Sequence, residues 1–350
     1  MQIDMHFYGV YALARAAGVN QNTARIIAYA SQFVDDAIDD EAIVLEYKNA
    51  VLPIMTAHKA IDYQNTIPVD QWNVWVPFHF LPGNAGESGT FLEKMACRKN
   101  SPLADKILEH ALEHKKETIG PYLAGVTAHV YADTFAHYGF VGLSRDCNKV
   151  RNGSIKVEVK STSIFDYIES KFETFKNRIA GTFAEAVPVG HGAVSTYPDR
   201  PYLKWKYIYE SGGAVKRDNL DDYMEACEGL HAFFSQYVIN NNKHGKIAKS
   251  RTWNNLKGEV EKILRKEESK EKRIDLWKKA ITSNKLFTAT NKDKSIQYLE
   301  KDWNSGVIEY CFEDNKRLDG CEPYLFIQAA RKHRAFVLDK LLPDFQLIIP

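Results

Sequence analysis

The stretch "AHVYADTFAHYGF", residues 128–140, decides the fold. Val130, Phe135 and Phe140, with Val126 just before, make it read as a buried helix. On that helix His129, Asp133 and His137 stand four residues apart. Each step of four turns the azimuth by about 40°, so the three fan across roughly 80° of one face. A buried, unpaired aspartate is costly. Two arrangements remove the cost: a His–Asp hydrogen-bond network bracing a helix pair, or a cation held between two His at i and i+4.

Working outward, helical patterning dominates. "YGVYALARAAG" stops at Gly18, and Asn20 or Asn22 caps a second helix that ends in Asp35 and Asp36. The segment 67–88, rich in Pro, Gly and aromatics, reads as an ordered loop, a place where function concentrates. A long helical stretch over 103–138 breaks or kinks at Gly120-Pro121. Residues 150–163 read as a short strand pair or an irregular insert, "SIFDYIESKFETFKNRIAGTFAEA" as a helix, 187–205 as a loop, and "NLDDYMEACEGLHAFFSQYVI" again as a helix. The expected fold is therefore all-α. Residues 1–242 form a helical metal-binding domain, and residues 243–350 a helical, charge-rich region packed on it, with the boundary near Asn240–Gly245.

At 350 residues, with 45% hydrophobic residues and 12% aromatics, the chain has material for a large core. No apolar run is long enough to span a bilayer and "MQIDMHFYGV" lacks the order of a signal peptide, so a cytoplasmic protein is expected. The five cysteines are odd in number and include no CxxC pair, which reads as free thiols. A formal charge of +1 recruits neither nucleic acid nor an anionic membrane. Only residues 243–279 depart from balance, with thirteen Lys or Arg against six Asp or Glu; a solvated helical face or a polyanion-facing surface accounts for them.

Several other His and Asp stand where helical patterning ends. Asp4 and His6 open the first helix. Asp35 and Asp36 end the second, where the macrodipole disfavours acids unless a cation or a partner helix relieves them. His79 lies between two Phe in "PFHFLPG". His191 is flanked by Gly190 and Gly192, with Asp199 and Arg200 following. Arg200 either pairs with Asp199 or meets an anionic substrate group bidentately. His110 and His114 lie on a charged helix and read as solvent-exposed.

Taken in order, these residues resemble the all-α superfamily of zinc-dependent phospholipases C and the fungal zinc nucleases that cut single-stranded nucleic acid. "AHVYADTFAH" is similar to that superfamily's His-x3-Asp motif with a further His. The resemblance covers roughly residues 1–205 and implies a trinuclear zinc cluster. Asp133 then bridges metals, and His6, Asp35, His79, His129, His137 and His191 are ligands. Asp199 stands for a carboxylate that the superfamily supplies as Glu, four residues after its last His and in the same helix. The superfamily also coordinates metal through the amino group of a processed terminus. An initiator Met stands here, so Asp4 is expected in its place. The opening "IDMHFYGVYALARAAG…AYASQFVDDA" further resembles the start of an uncharacterised bacterial family, which implies no activity.

The expected function is a metal-dependent hydrolase of a phosphoester, in nucleic acid, a nucleotide or a phospholipid headgroup. It would use two or three Zn²⁺ or another divalent cation, with Asp133 and Asp35 as bridging catalytic carboxylates and Asp36 orienting a ligating His. Tyr138, Tyr197 and Trp205 are candidate substrate walls beside Arg200, or simply core. No GxSxG elbow, GxxxxGKS loop or GxGxxG is present. The alternatives are a helical binding or scaffold protein with one structural metal, and a His-Asp phosphohydrolase. The second is disfavoured because no "HD" dipeptide occurs.

Overall fold

The computed structural model describes residues 1–45, 49–58, 67–84, 88–182, 189–246, 249–315 and 317–348. It is mostly helical with a small sheet. A π-helical turn, Asp4–Gly9, runs straight into α1 (Val10–Ala16), which ends at Gly18 with φ +97°. The Asn20 side chain accepts from the Thr23 amide at 2.9 Å and starts α2 (Gln21–Asp36), as the capping residue implied. The long stretch over 103–138 is two helices, α3 (Pro102–Glu113) and α4 (Gly120–Ala136). The break lies before Gly120, so Pro121 falls in the first turn of α4, where its missing N–H costs nothing.

Every residue of α4 is buried. It packs against α2, α3, α6 (Asn219–Val238) and α10 (Glu322–Ala335), so it must be apolar on all sides. Gly125 sets the α2–α4 approach: a Cβ there would run into the Ile27 carbonyl oxygen and lie 2.6 Å from the Ala30 Cβ. After the acidic end of α2, β1 (Ile43–Leu45) and β2 (Asn49–Val51) pair antiparallel and lead to Thr56.

Residues 68–78, expected as loop, are helical turns (Pro68–Asp70, π-helical Gln71–Trp75 and Val76–Phe78) that end at His79. The aromatic-rich composition hid them because their side chains divide between two apolar clusters, Val76 and Phe78 in the larger and Trp75 against a second, rather than lying along one helix face. A three-stranded antiparallel sheet also departs from the all-α expectation. It orders β3 (Lys156–Glu158), β4 (Lys204–Ile208) and β5 (Ala214–Asp218), with Val157 opposite Trp205 and Trp205 opposite Arg217. Thus 150–163 supplies one strand whose partner comes from 204–208. The segment read as a loop over 187–205 is described from Val189; Val187 and Pro188 lie outside the described residues. Helix α5 (Thr162–Thr182) and this sheet enclose Phe80, Phe140, Tyr197, Trp205 and Tyr207.

The C-terminal helices α7 (Trp253–Leu264), α8 (Lys270–Thr282), α9 (Ser305–Asn315) and α10 join the larger apolar cluster, which runs from Met1 to Leu347. Ion pairs tie them to the first helices: Arg273 to Asp4 at 2.8 Å, and Asp293 to Arg15 at 2.7 Å. The turn read as a boundary bonds to the start of the chain, since Gly245 bridges Val19 and the His244 carbonyl accepts from the Asn20 amide. Part of the basic run pairs with its own acids: Lys262 with Glu259, Arg265 with Glu261, Lys272 with Glu268. The cysteines are free, and no described helix is long and apolar enough to cross a membrane.

Candidate metal centre

Helix α4 carries His129 and Asp133 on one face and hands over to His137 at its C-terminal cap. The end of α2 brings Asp35, the turn after 76–78 brings His79, and the chain start brings His6. The 3-10 turn Gly190–Val194 brings His191, with Asp199 just beyond. At Gly190, φ is +54° and the Phe80 ring occupies the place of a Cβ, so only glycine lets the turn close on the site.

Three donor atoms face one point. Asp133 Oδ2 lies 3.2 Å from His129 Nε2 and 3.3 Å from His79 Nδ1, and these two nitrogens are 3.3 Å apart. Asp35 Oδ1 flanks the two histidines farther out, 3.8 Å from His129 Nε2 and 4.0 Å from His79 Nδ1. Ligands about 2.1 Å from a tetrahedral cation stand about 3.4 Å from one another, so the first three are spaced as in a zinc shell.

Proton placement makes the same case. His129 Nδ1 lies 2.7 Å from the Ser31 carbonyl oxygen, and His79 Nε2 lies 2.8 Å from that of Thr56. A carbonyl only accepts, so each outer nitrogen is the N–H donor and each inner nitrogen of the neutral ring presents a lone pair. Two imidazole lone pairs then converge on the Asp133 carboxylate with the Asp35 carboxyl beside them, a buried donor set suited to a cation. Thr56 is held for this task by its own hydroxyl, which donates to the Val34 carbonyl at 2.7 Å.

Two further groups adjoin. His6, His129 and Asp133 form one; the Met1 ammonium borders it, donating to Asp133 Oδ1 at 2.6 Å, with His6 Nε2 at 3.1 Å from the same oxygen. Asp133 thus turns Oδ1 to one group and Oδ2 to the other. Neither ring nitrogen of His6 has a hydrogen-bond partner among the described residues. The other group is His137, His191 and Asp199. His137 Nδ1 donates to the His79 carbonyl at 2.8 Å and His191 Nδ1 to the Ser195 carbonyl at 2.7 Å, again leaving each Nε2 inward. The His137 ring stacks on Phe80 at 4.7 Å, which fixes its plane.

Electrostatics follow from burial and crowding. Burial drives His129 and His191 down to about 4, and His6 well below its ordinary value, so all three are neutral at pH 7. Burial alone would lower the Met1 amine, but the charges of Asp133, Asp199 and Asp35 outweigh it and raise it to about 11. Asp133 lies well below the carboxylate range although burial opposes this, because His137, the amino terminus, His129 and His6 surround it. Loss of solvent and the Asp133 charge push Asp35 well above that range. A divalent cation between them would remove the conflict between these two carboxylates.

Of the nine expected ligands, the structure brings together His6, Asp35, His79, His129, Asp133, His137, His191 and Asp199. Asp4 is a correction. Its carboxylate faces away to Arg273, accepting at 2.8 and 3.1 Å, and both partners are buried. The Met1 amine stands where Asp4 was expected. Asp36 is a second correction: it accepts from the Tyr298 hydroxyl at 2.6 Å and Gln32 Nε2 at 3.0 Å, not from a ligating His. The substrate-facing trio is a third. Tyr138 lies under the Arg217 guanidinium, 3.6 Å away; Tyr197 stacks with Trp205 and Phe172; Arg200 is buried over Tyr167 and Tyr197. A cavity of about 330 Å³ lies beside the His191–Asp199 segment, with Ala193, Tyr197, Phe172 and Arg151 in its wall. The carbonyl acceptors at Ser31, Thr56 and Ser195 have no signature in sequence, because every residue supplies a carbonyl.

The chain matches the model of a family of unknown function, DUF6765, over residues 1–341, and belongs to that family. No curated protein and no solved structure matches it.

Proposed function

We propose that this chain is a metal-dependent hydrolase of phosphoesters. Its multinuclear zinc centre would lie in a helical core related to the zinc-dependent phospholipases C and single-strand zinc nucleases. The observation that carries the reading is the clustering of Asp133 Oδ2, His79 Nδ1 and His129 Nε2 within 3.3 Å of one another, with Asp35 Oδ1 flanking the two histidines and two further donor groups sharing or adjoining them.

Mixed imidazole and carboxylate donors suit Zn²⁺ first among divalent cations. Bound there, such cations supply Lewis acidity toward phosphoryl oxygens and activate water. The chain's own part is positioning. Asp133 offers one oxygen to each of two groups, and four imidazoles are locked by donation to backbone carbonyls. Asp35 is the most exposed of these four donors, its side chain 31% accessible, and marks the side open to a substrate. Three donor groups exceed what one closed structural site requires, which favours catalysis over a scaffold with a single metal.

The test is elemental analysis of the purified chain with hydrolysis of bis-p-nitrophenyl phosphate by wild type and Asp133→Ala. Two or more metals per chain and activity lost in Asp133→Ala are expected. A metal-loaded, folded wild type that hydrolyses no phosphoester would leave only a structural role.

A further inference from the structure

We propose that His110, Glu113 and His114, at the C-terminal end of α3, form a separate surface site for a borderline divalent transition cation such as Zn²⁺. No donor is shared with the buried centre. One donor atom from each lies within 4.8 Å of the others, and positions i, i+3 and i+4 put all three on one face. Closing to the roughly 3.4 Å separations of a tetrahedral shell takes only side-chain rotation, because Glu113 is exposed and free to swing in.

Two details go beyond proximity. First, His114 Nδ1 donates to the Glu117 carboxylate at 2.6 Å. That bond fixes the tautomer and leaves Nε2 as the lone-pair donor, the carboxylate–histidine arrangement typical beside bound metals. Lys332 anchors Glu117 from the other side at 3.0 Å, which holds the carboxylate in place and neutralises the nearest cation. Second, the His110 ring lies flat on Phe336, with centroids 3.9 Å apart and planes 2° from parallel. Its Nε2 is buried without a hydrogen-bond partner among the described residues. The ring is therefore oriented by packing rather than by a competing acceptor.

Position favours a cation as well. The last turn of a helix presents unpaired carbonyls and the negative end of its dipole, and His114 caps α3. Three protein donors leave a fourth position for water, so the site is open and in exchange with solvent, unlike the buried centre. Its occupancy would pin the last turn of α3 against Phe336, at the start of the π-helical turn Phe336–Leu341.

The experiment uses the full chain with its buried sites saturated, titrated with Zn²⁺ alone by calorimetry. Metal counts before and after a brief chelator pulse give the exchange. One additional, rapidly removed equivalent is expected in wild type. His114→Ala should abolish it, and Glu117→Ala should weaken it about 10- to 100-fold, as loss of a ligand-orienting partner does. Both variants should keep the slowly exchanging metals and the far-ultraviolet dichroism of wild type, which separates loss of the site from loss of the fold. An extra equivalent that is absent from wild type, or unchanged in His114→Ala, overturns the proposal.

Discussion

Replacing Asp133 by Asn tests the site-by-site reading most sharply. The two carboxylate oxygens serve different groups, Oδ1 toward the amino terminus and His6, Oδ2 toward His79 and His129. One substitution should therefore cost two of three slowly exchanging metals and leave the His137, His191 and Asp199 group. Asp199→Asn should do the converse, losing one and keeping two. The stabilities follow by mass action. A site held at free metal 100 times its dissociation constant contributes about 2.7 kcal/mol, so three filled sites contribute about 8 kcal/mol where their contributions add. Asp133→Asn should retain about 2.7 kcal/mol of metal-dependent stabilisation and Asp199→Asn about 5 kcal/mol on the same scale. The assay is elemental analysis after a brief chelator pulse, with urea denaturation in defined free Zn²⁺ and in chelator. Equal metal losses in the two variants would refute the shared-carboxylate geometry, as would an Asp133→Asn protein that keeps more than one slowly exchanging metal.

Asp4→Asn should leave the metal count unchanged while costing about 3–5 kcal/mol in denaturant, since it strands the buried Arg273 charge; a recovered stability in Asp4→Asn/Arg273→Met would locate the loss in that pair, and a lost metal would return Asp4 to the ligand set. Gly125→Ala forces α2 and α4 apart and should cost about 1–3 kcal/mol. It should also weaken metal binding by moving Ser31 from His129, and full metal affinity in that variant would show that the helix spacing does not set the ligand. His333 is buried, and burial holds it down at about 4 against an ordinary 6.5. The unfolded chain then binds the extra proton between these values, so its contribution is complete above pH 6.5 and is lost as pH falls toward 4. At about 1.36 kcal/mol per pH unit this amounts to about 3 kcal/mol. Urea titrations of metal-free wild type and His333→Gln between pH 4 and 7 should show the shallower pH slope in the variant.

Much of the site was legible because its ligands have unusual neighbours. The His129–Asp133–His137 spacing declares a shared face, and a His among Phe residues or between two Gly stands out from an amphipathic pattern. The misreadings have one physical source. Sequence shows which residue types are unusual and not which way they turn: Asp4 and His6 are two apart at the chain start, yet one faces Arg273 and the other Asp133. Tyr138 and Arg200 are engaged in cation–π packing, and Tyr197 stacks on Trp205 while it also lines the cavity beside Asp199. The stretch 150–163 shows its strand character but not its partner, because β3 pairs with β4 some fifty residues on rather than within the same stretch.

The donors of the buried centre are spread along the chain from its first residues to Asp199, and this gives the centre a timetable. During synthesis at about 5–20 residues per second, His6 leaves the ribosome tens of seconds before Asp199. The chain start is then without the partners that neutralise it, and every intermediate length lacks at least one donor group. The complete donor set exists only in a chain whose residues up to Asp199 have been made and brought together. Metal supplied late, after release, should fill the centre as well as metal present throughout translation.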